Sequence, residues 1–506
     1  MSVTSDAALP TGMRRVILVA AATLGTAAYD FTWTVVGIGL PHMQGAFSAT
    51  SDQIAWVMTG FIVGSAMMTA SVGWVTAKVG RKRLFLFALA GYTVTLIGCG
   101  LSSTLMGEIS WRFLQGVVGA PLIPLGQAIS VDAFPPERHG KATSIWAIAV
   151  VAGGAFGPAF GGMLIDNYGW PWIFYITIPV GVISFIAAWI VIPEIPNDPD
   201  RKLDWFGFAT LMTAIVALQL MLGRGERLGW FDSYEIIMEA MAFGLAFYLF
   251  IAHTLTSKIN FIDKALFSDR NYAVGLLFLL LFATIIILPN FLLPLLLQQV
   301  AGYPAIEAGY LLIPRGVGVI LGLLIIGQIE HLIDPRKVIV VCLLFVIYTG
   351  LEMSQWTVDV RPWDVIRPNF IQGLTSGMMW VPVSALALST LPKRFQADGY
   401  AIFYLQFDIG SAIGVAGVVA LISRYTQINR AILVENVSPY NELLRYPEIT
   451  RIWDIAETEG LAMLDLEIAR QAAMIAYNNS FLMITLGAVL LLPLTLLFRP
   501  PRRGGA

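Results

Sequence analysis

Residues 272–298 read YAVGLLFLLLFATIIILPNFLLPLLLQ, a run of 27 residues without a charged side chain. A helix of about 20 predominantly apolar residues is long enough to span the hydrocarbon core of a bilayer. Thirteen other apolar runs in the chain of 506 residues have a comparable character. The sequence therefore predicts an all-α polytopic membrane protein. Its fourteen predicted spans lie near residues 16–40, 54–77, 84–103, 109–131, 142–165, 172–193, 205–223, 236–256, 272–298, 306–327, 338–356, 366–391, 399–423 and 476–498.

The composition agrees with this class, since 57% of the residues are hydrophobic and only 13% are charged. A soluble globular protein carries about 25% charged residues, so this chain has too little charge to cover a soluble multidomain enzyme. A net charge of −2 argues against nucleic-acid binding, which requires a basic face. No phosphate-binding GxxxxGK[ST] loop and no nucleophile–base set is present, so we expect neither an ATP-driven pump nor an enzyme. No metal site is expected either, because these side chains lack ligand spacing: Cys99, Cys342, His42, His139, His253 and His331.

Basic residues set the predicted orientation. Most Lys and Arg residues fall in the segments that are cytoplasmic if the N-terminus is cytoplasmic, whereas the short outer loops carry Arg224, Arg227 and Arg361. Cytoplasmic loops of membrane proteins are enriched in Lys and Arg. The pattern predicts an even number of spans with both termini inside.

One long segment, residues 424–475, lies on the predicted outer side. The pattern from Ile452 to Ile475 predicts one or two amphipathic helices. Such a segment is either a solvated connector or a docking surface for a partner protein.

A repeated motif indicates two related bundles. The segment from Arg112 to Gly119 recurs in altered form from Arg367 to Gly377, and a proline follows each. Internal repeats of this kind are typical of secondary transporters, whose sites lie between the halves; chance similarity between two Gly-rich helices is the alternative. The repeat predicts a first six-helix bundle over 1–193, two inserted helices over 194–271, and a second six-helix bundle over 272–506.

Asp30 is the ionisable residue best placed inside a span. Thr26, Asp30, Thr34 and Gly37 share one helix face, with Trp33 next to it. An ionisable group within a bilayer is by default a functional candidate, and a buried carboxylate can exchange a proton when its surroundings change. The alternative is a static hydrogen bond between helices.

Arg112 shares a face with Gln115, Gly116 and Gly119. Its guanidinium stays charged and needs an acceptor, and Asp30 is a plausible partner. Protonation of such a pair would couple proton binding to a change of shape. The alternative places Arg112 at the outer interface, where its side chain reaches the head groups.

Asp408 lies mid-span on a face with Tyr404 and Ser411. It either carries a proton or simply lines a water-filled cavity. Together these faces predict three proton-coupling candidates, Asp30, Asp408 and Arg112. The predicted substrate cavity is lined by Thr26, Trp33, Thr34, Gln115, Tyr404 and Ser411.

A Gly/Pro-rich sequence occupies the middle of the fifth span. A proline within a helix removes a backbone hydrogen bond and kinks it, whereas glycines four residues apart allow close helix packing. We expect a rigid, bent contact suited to one half rocking against the other. Its residues are Gly153, Gly157, Pro158, Gly161 and Gly162.

These motifs resemble those of the major facilitator superfamily and, within it, the fourteen-span drug:proton antiporters of the EmrB/QacA group. The segment 153–162 is similar to the antiporter motif of the fifth helix. Arg112-x-x-Gln115-Gly116-x-x-Gly119 resembles the fourth-helix motif, whose arginine is implied to take part in proton transfer. The segment 73–82, GWVTAKVGRK, resembles the signature loop that is implied to gate the transition between states, with Gly73, Gly80, Arg81 and Lys82 as its key residues.

Three positions depart from the family pattern. Ala77 replaces the acidic residue of the signature loop, which puts the charge pair of the gate in question. The first-helix motif has Thr32 at its acidic position, and Asp30 lies two residues earlier. In the thirteenth span, Phe407 followed by Asp408 replaces an arginine, which suggests a substrate range shifted towards cationic or neutral compounds.

The resemblance implies a major facilitator fold of two six-helix bundles plus two inserted helices. It also implies multidrug efflux of small amphipathic compounds across the bacterial inner membrane, driven by the proton gradient without a cofactor. Members of the EmrB side are implied to work with a periplasmic adaptor protein and an outer-membrane channel. The alternatives are a dedicated exporter of one metabolite, such as a siderophore or fatty acid, an uptake symporter, and a membrane sensor without transport.

Overall fold

The computed structural model describes residues 11–135, 138–194, 202–257, 260–330, 332–388, 390–392, 395–438, 441, 444, 446–454 and 457–499. These residues form eighteen α-helices and no β-strand. The first eight are α1 (Gly12–Ala46), α2 (Ser51–Val79), α3 (Arg81–Gly100), α4 (Leu105–Gly119), α5 (Leu122–Asp132), α6 (His139–Tyr168), α7 (Trp172–Tyr175) and α8 (Ile178–Val191). Two follow in the middle of the chain, α9 (Trp205–Arg224) and α10 (Tyr234–Thr256). The last eight are α11 (Arg270–Ile286), α12 (Leu288–Leu295), α13 (Ala305–Ile329), α14 (Pro335–Met353), α15 (Pro362–Leu388), α16 (Gln396–Val434), α17 (Pro447–Thr450) and α18 (Thr458–Thr495).

Each predicted span overlaps one or two of these helices, so the all-α membrane class is confirmed. Twelve helical segments of the described chain are long and apolar enough to cross a bilayer. The two remaining predicted spans, 142–165 and 338–356, fall on α6 and α14, which have 30 and 19 residues. The helices therefore fit fourteen spans, while the three-part division at residues 193 and 271 stays a prediction.

Paired glycines bring α2 against α4 and α13 against α15. A Cβ atom at Gly116 would overlap the carbonyl oxygen of Phe61, and one at Gly373 would overlap the carbonyl oxygen of Arg315. Close backbone approach at small residues is a common mode of helix packing in membranes. The two contacts are equivalent in the repeat, because Gln115-Gly116 and Gln372-Gly373 take the same place in their helices.

The matching positions of the two Gln-Gly pairs align the repeat differently from the prediction, which paired Arg112 with Arg367. Counting back three residues from each glutamine, Arg112 corresponds to Asn369 and not to Arg367. Asn369 is completely buried, whereas the Arg367 side chain is 45% exposed and pairs with Glu352 at 2.5 Å.

The outer segment is helical over residues 458–475, as predicted, but the helix differs in its bounds. It begins at Thr458 and not at Ile452, and it is the first part of α18, which continues into the last span without interruption. The helices α16 and α18, of 39 and 38 residues, are each about 57 Å long at 1.5 Å per residue, well beyond the ~30 Å hydrocarbon core. Arg430 of α16 binds both carboxylate oxygens of Asp465 in α18, at 2.6 and 2.9 Å, where the two helices extend past the other spans.

Candidate functional site

An aromatic cluster on α1 and α2 packs against Arg112, the buried cation of α4. The rings of Trp33 and Phe61 stack with centroids 5.3 Å apart, and Tyr29 lies 5.4 Å from Phe61. The guanidinium of Arg112 lies over the Phe61 ring, 4.3 Å from its centroid. A cation over an aromatic face is stabilised by the ring quadrupole, so Phe61 replaces part of the hydration that Arg112 loses.

Arg112 is completely buried, which rules out the interfacial alternative in this conformation. Its partner is also not the predicted one. It donates a hydrogen bond to the side-chain oxygen of Gln115 on the same helix, and its other terminal nitrogen lies 3.9 Å from the sulfur of Met58. No ion pair between Arg112 and Asp30 is found among the described residues.

Asp30 faces the Gly/Pro-rich part of α6. A Cβ atom at Gly154 would overlap the Asp30 carboxylate, so the missing side chain at 154 makes room for the acid. The hydroxyl of neighbouring Tyr29 is hydrogen-bonded to Ser65 at 2.8 Å. Asp30 is half-buried and close enough to Tyr29 to interact with it electrostatically.

Asp408 belongs to the second bundle. It lies on α16, within a membrane-spanning segment, and its side chain is exposed. Each bundle therefore carries one of the two predicted acids within a span, and both lie near enough to Tyr29 to act on its hydroxyl.

The other predicted cavity residues differ in exposure. Thr26 does not face a cavity, because it is completely buried and donates to the carbonyl oxygens of Ala22 at 2.8 Å and Leu122 at 3.1 Å. Gln115 is also completely buried, held by Arg112. The partly exposed members of the predicted set are Trp33, Thr34 and Ser411.

The glycines of α6 pack closely, as predicted, but against a different neighbour. Cβ atoms at Gly153, Gly157 and Gly161 would overlap atoms of α1, whereas Gly162 has no such neighbour within 4 Å. Since α1 belongs to the same bundle, this contact holds α6 inside the first bundle and is not the contact between the halves. The side chain of Pro158 lies outside the described residues.

The gating loop forms two contacts at the side where the basic loops lie, called the inner side below. Gly73 of α2 allows the Asp398 carboxylate of α16 to approach its backbone, because a Cβ atom would overlap that group. Arg81 forms an ion pair with Asp132 at the end of α5, so Asp132 supplies an acid partner that Ala77 cannot. Gly80, between α2 and α3, has φ +96°, a backbone conformation that favours glycine. Lys82 is partly exposed beside Arg81.

Further contacts join the bundles at the inner side. The Tyr404 hydroxyl donates to the Gln127 side chain of α5 at 2.5 Å. Ser144 of α6 packs against Gly327 of α13, and the Glu330 carboxylate lies at the start of α6, beside Gly140. Burial raises the pKa of Glu330 to about 7, although a hydrogen bond with the Gly140 backbone lowers it. These contacts close the inner side of the molecule.

Two buried charges were missed as site residues by the sequence reasoning. Glu108 precedes the predicted span 109–131 by one residue and is nonetheless completely buried. Arg315 lies inside the predicted span 306–327 and donates to Gln372 at 3.3 Å and to the Ile286 carbonyl at 2.9 Å. Pro289 interrupts the helix next to that carbonyl, since the following Asn290 N–H binds Ile287 instead.

A groove of about 500 Å³ separates the inserted helices from the first bundle. Its walls come from α2, α9 and α10, and three methionines line it, Met67, Met212 and Met238. At its outer end Arg224 pairs with Glu239 and lies over the ring of Trp56, 5.0 Å from its centroid. Among the described residues, no group of three or more His, Cys, Asp or Glu side chains could hold a metal ion.

Comparison with known proteins agrees with this architecture. The human organic anion transporter MFSD10 (TETRAN) has a crystal structure similar to this chain, with a TM-score of 0.60 at 14% identity over 95% of this chain and 100% of that one. The multidrug export protein EmrB of Haemophilus influenzae is 30% identical over 496 residues, 96% of each chain. The fatty acid resistance protein FarB of Neisseria gonorrhoeae is 30% identical over 478 residues, 93% of this chain and 94% of that one. The profile described as Major Facilitator Superfamily matches residues 22–415. The chain therefore belongs to the major facilitator superfamily and, by its identity over nearly the whole length of EmrB, to the EmrB-type group of transporters.

Proposed function

We propose that this transporter exports small amphipathic compounds by alternating access, in exchange for protons. The observation that carries the proposal is the position of Asp30 on α1 and of Asp408 on α16, one acid within a membrane-spanning segment of each bundle. The similarity to the multidrug export protein EmrB supports export as the direction.

Proton exchange rests on the two acids. A carboxylate on a membrane-spanning helix changes its surroundings when the bundles tilt, and its proton affinity changes with them. Asp30 and Asp408 are the proton carriers in this proposal. Arg112 is a permanent positive charge in the first bundle, contacted in this conformation by Phe61 and Gln115.

Substrate binding rests on the aromatic cluster. Within this cluster Trp33 is partly exposed and offers a ring face to an apolar or cationic ligand, whereas Phe61 and Tyr29 are buried. Trp33 and Thr34 are partly exposed at this place, and Ser411 of α16 lies one turn beyond Asp408 with its hydroxyl unpartnered. A site built from rings and few polar groups tolerates many amphipathic molecules.

The closed inner side indicates which step of the transport cycle this conformation belongs to. Contacts at Gly73, Tyr404 and Glu330 seal the molecule from the predicted cytoplasm. A transporter sealed in this way releases substrate outwards and takes up protons from outside. We therefore assign this conformation to the outward-facing half of the proposed cycle.

Location and partners are part of the proposal. We place the protein in the bacterial inner membrane with both termini cytoplasmic, because the basic loops lie on one side. The extensions of α16 and α18 beyond the bilayer then face the periplasm. They are the surface we propose for a periplasmic adaptor protein that leads to an outer-membrane channel.

A second candidate is export of one metabolite class. FarB is named a fatty acid resistance protein and is as similar to this chain as EmrB is. The buried Arg315, which forms no ion pair with a carboxylate among the described residues, would favour an anionic substrate.

The test uses everted membrane vesicles from a host without its own efflux pumps. Adding ethidium, a lipophilic cation, should release protons from energised vesicles, and the single variants Asp30→Asn and Asp408→Asn should each lower this release at least tenfold. Asp166→Asn is the matched control, because Asp166 is exposed at the outer end of α6. Proton release by a long-chain fatty acid but not by ethidium would favour the second candidate. Equal ethidium flux with and without a proton gradient would contradict proton coupling.

A further inference from the structure

Glu108 is a buried acid to which neither the family resemblance nor the proposed mechanism gives a role. It lies in the first turn of α4 with no exposed surface. In the described part of the chain neither of its carboxylate oxygens has a hydrogen bond of normal geometry, although the Ser102 hydroxyl and the Cys99 thiol lie close enough to act on them. A buried polar group without a partner is rare in native proteins and calls for an explanation.

The unpartnered atoms around Glu108 form a cluster. The Ser102 hydroxyl, the Arg112 Nε atom and the Gln115 side-chain nitrogen are also buried without hydrogen-bond partners. All four residues lie on α4 or in the turn before it, and Cys99 at the end of α3 completes the surroundings of Glu108. These residues form a polar pocket inside the first bundle, so Glu108 is one of several buried groups there that lack a hydrogen bond of normal geometry.

The spacing on α4 lets one cation serve two acceptors. Residues 108, 112 and 115 are separated by four and then three positions, so they lie on one face of the helix. Arg112 stands between the other two and donates to Gln115 in this structure. Its long side chain can turn by rotation about its own bonds towards Glu108, one helical turn away.

The protonation state of Glu108 decides which acceptor Arg112 takes. An ionised carboxylate without hydrogen bonds inside a bilayer is strongly disfavoured, whereas its neutral form is not. With Arg112 held by Gln115 and Phe61, the neutral form of Glu108 fits this conformation. An ionised Glu108 would instead draw the guanidinium away from Gln115.

We propose that Glu108 is a proton-binding site of the first bundle, and that Arg112 moves between Gln115 and Glu108 as this site fills and empties. The proposal rests on the proton-coupled function above. On emptying, the Glu108 O–H bond breaks, the proton passes to water, and the carboxylate pairs with the unchanged guanidinium. Ser102 belongs to the partly exposed turn between α3 and α4, and its hydroxyl points inwards, so this residue lies between the pocket and the outer side.

The titratable neighbours are few. Cys99 and Arg112 are the groups that act on Glu108, and Tyr92 of α3 and Tyr29 of α1 act on Arg112. The contacts of Arg112 with α2 are with the uncharged Phe61 and Met58. No second carboxylate faces this pocket among these neighbours, so the proton is assigned to Glu108.

The experiment compares wild type, Glu108→Gln and Glu307→Gln in proteoliposomes. Glu307 is the matched control, because it lies in the first turn of α13 but is exposed. Substrate-induced proton release is measured with ethidium, and the C=O stretch of a protonated carboxyl group is followed by infrared difference spectroscopy between acidic and basic pH. In E108Q we expect proton release per ethidium to fall at least twofold and a carboxyl band to disappear, whereas E307Q keeps both.

The outcomes separate this inference from the proposed function. If wild type exchanges protons for ethidium and E108Q matches it in both release and infrared band, Glu108 is not a proton site. If wild type shows no proton release, the proposed function fails first. Should E108Q not insert, Glu108→Asp decides: a shifted carboxyl band supports the assignment, and an unchanged band contradicts it.

Discussion

The hydroxyl group of Tyr404 donates a hydrogen bond of 2.5 Å to the side-chain oxygen of Gln127 and so joins the two bundles. Tyr404 lies on α16 between Trp146 of α6 and Trp380 of α15, each with its ring centroid 6.0 Å away. Asp408 lies one turn further along α16 and is exposed, whereas Gln127 is completely buried. The contact therefore lies between the sealed inner side and the exposed Asp408, one turn away.

Tyr404→Phe should weaken the inner seal. One hydrogen bond contributes about 1 kcal/mol net, so the equilibrium should shift roughly fivefold towards the conformation open on the inner side. Spin labels at Arg83→Cys and Leu332→Cys, two exposed inner positions on opposite bundles, would report this by a larger population of long distances. Tyr303→Phe is the control, since its hydroxyl binds the Val360 carbonyl within the second bundle at 2.7 Å; an equal shift there would remove the special role of Tyr404.

Gly73→Ala should prevent full closure of the inner side. Its Cβ atom would overlap the Asp398 side chain, and it would lie 2.6 Å from the Asp398 Cα atom, which cannot move without its helix. The same pair of spin labels should then show mostly long distances, and transport should fall at least tenfold. Gly37→Ala, with no such neighbour within 4 Å, should leave both unchanged. If the inner side still closed in G73A, α16 would be able to shift away from the added methyl group, and the prediction would be wrong.

Two glycines of the same motif should respond in opposite directions. Gly153→Ala places a methyl group against the Ala27 backbone and should lower the free energy of unfolding by about 1–3 kcal/mol. Gly162→Ala meets no neighbour within 4 Å and should raise it by up to about 1 kcal/mol, because alanine favours helix over glycine. Thermal unfolding in detergent measures both. Equal destabilisation of the two variants would contradict the packing of this motif on α1.

The inner contact at Glu330 should depend on pH. Burial raises its pKa to about 7, above the ordinary value of 4.5. The closed form therefore keeps the proton over a range in which a solvated Glu330 has lost it. Closure is favoured at the acidic end and weakens as the pH rises from 4.5 to about 7.

Glu330→Gln tests this dependence because glutamine stays neutral. The distance distribution between the inner spin labels should change in wild type between about pH 5 and about pH 8 and stay closed in E330Q. Glu352→Gln, an acid at the opposite end of the second bundle, should keep the wild-type dependence. An identical pH response in wild type and E330Q would assign the titration to another group.

Sequence reasoning placed the spans well because a bilayer imposes length and apolarity on each helix separately. It also selected the face of α1 that carries Asp30, and Arg112 as a buried cation. Both follow from helical periodicity and from the cost of charge in an apolar medium. These properties belong to single helices and need no knowledge of the neighbour.

The partners were harder to predict. Arg112 binds Gln115 and Phe61 and not Asp30, and the α6 glycines face α1 and not the second bundle. Thr26, on the polar face of α1, is buried against α5. Periodicity identifies a face but does not say which helix covers it. Glu108 was not predicted as a site residue because hydropathy locates the end of a span only to within about one helical turn. That uncertainty decides whether an acid at the end of the span is interfacial or buried.

The sequence by itself determined that the chain is a helical membrane transporter, since apolar runs, basic loops and small-residue motifs act locally. Only the tertiary structure decided which groups meet, such as Asp30 of α1 and the backbone of α6 at Gly154. It alone revealed that the inner side is sealed through Tyr404 and Gln127, which lie 277 positions apart. Such contacts depend on how two bundles pack against each other, and that packing is a sum over many weak contacts that no single segment encodes.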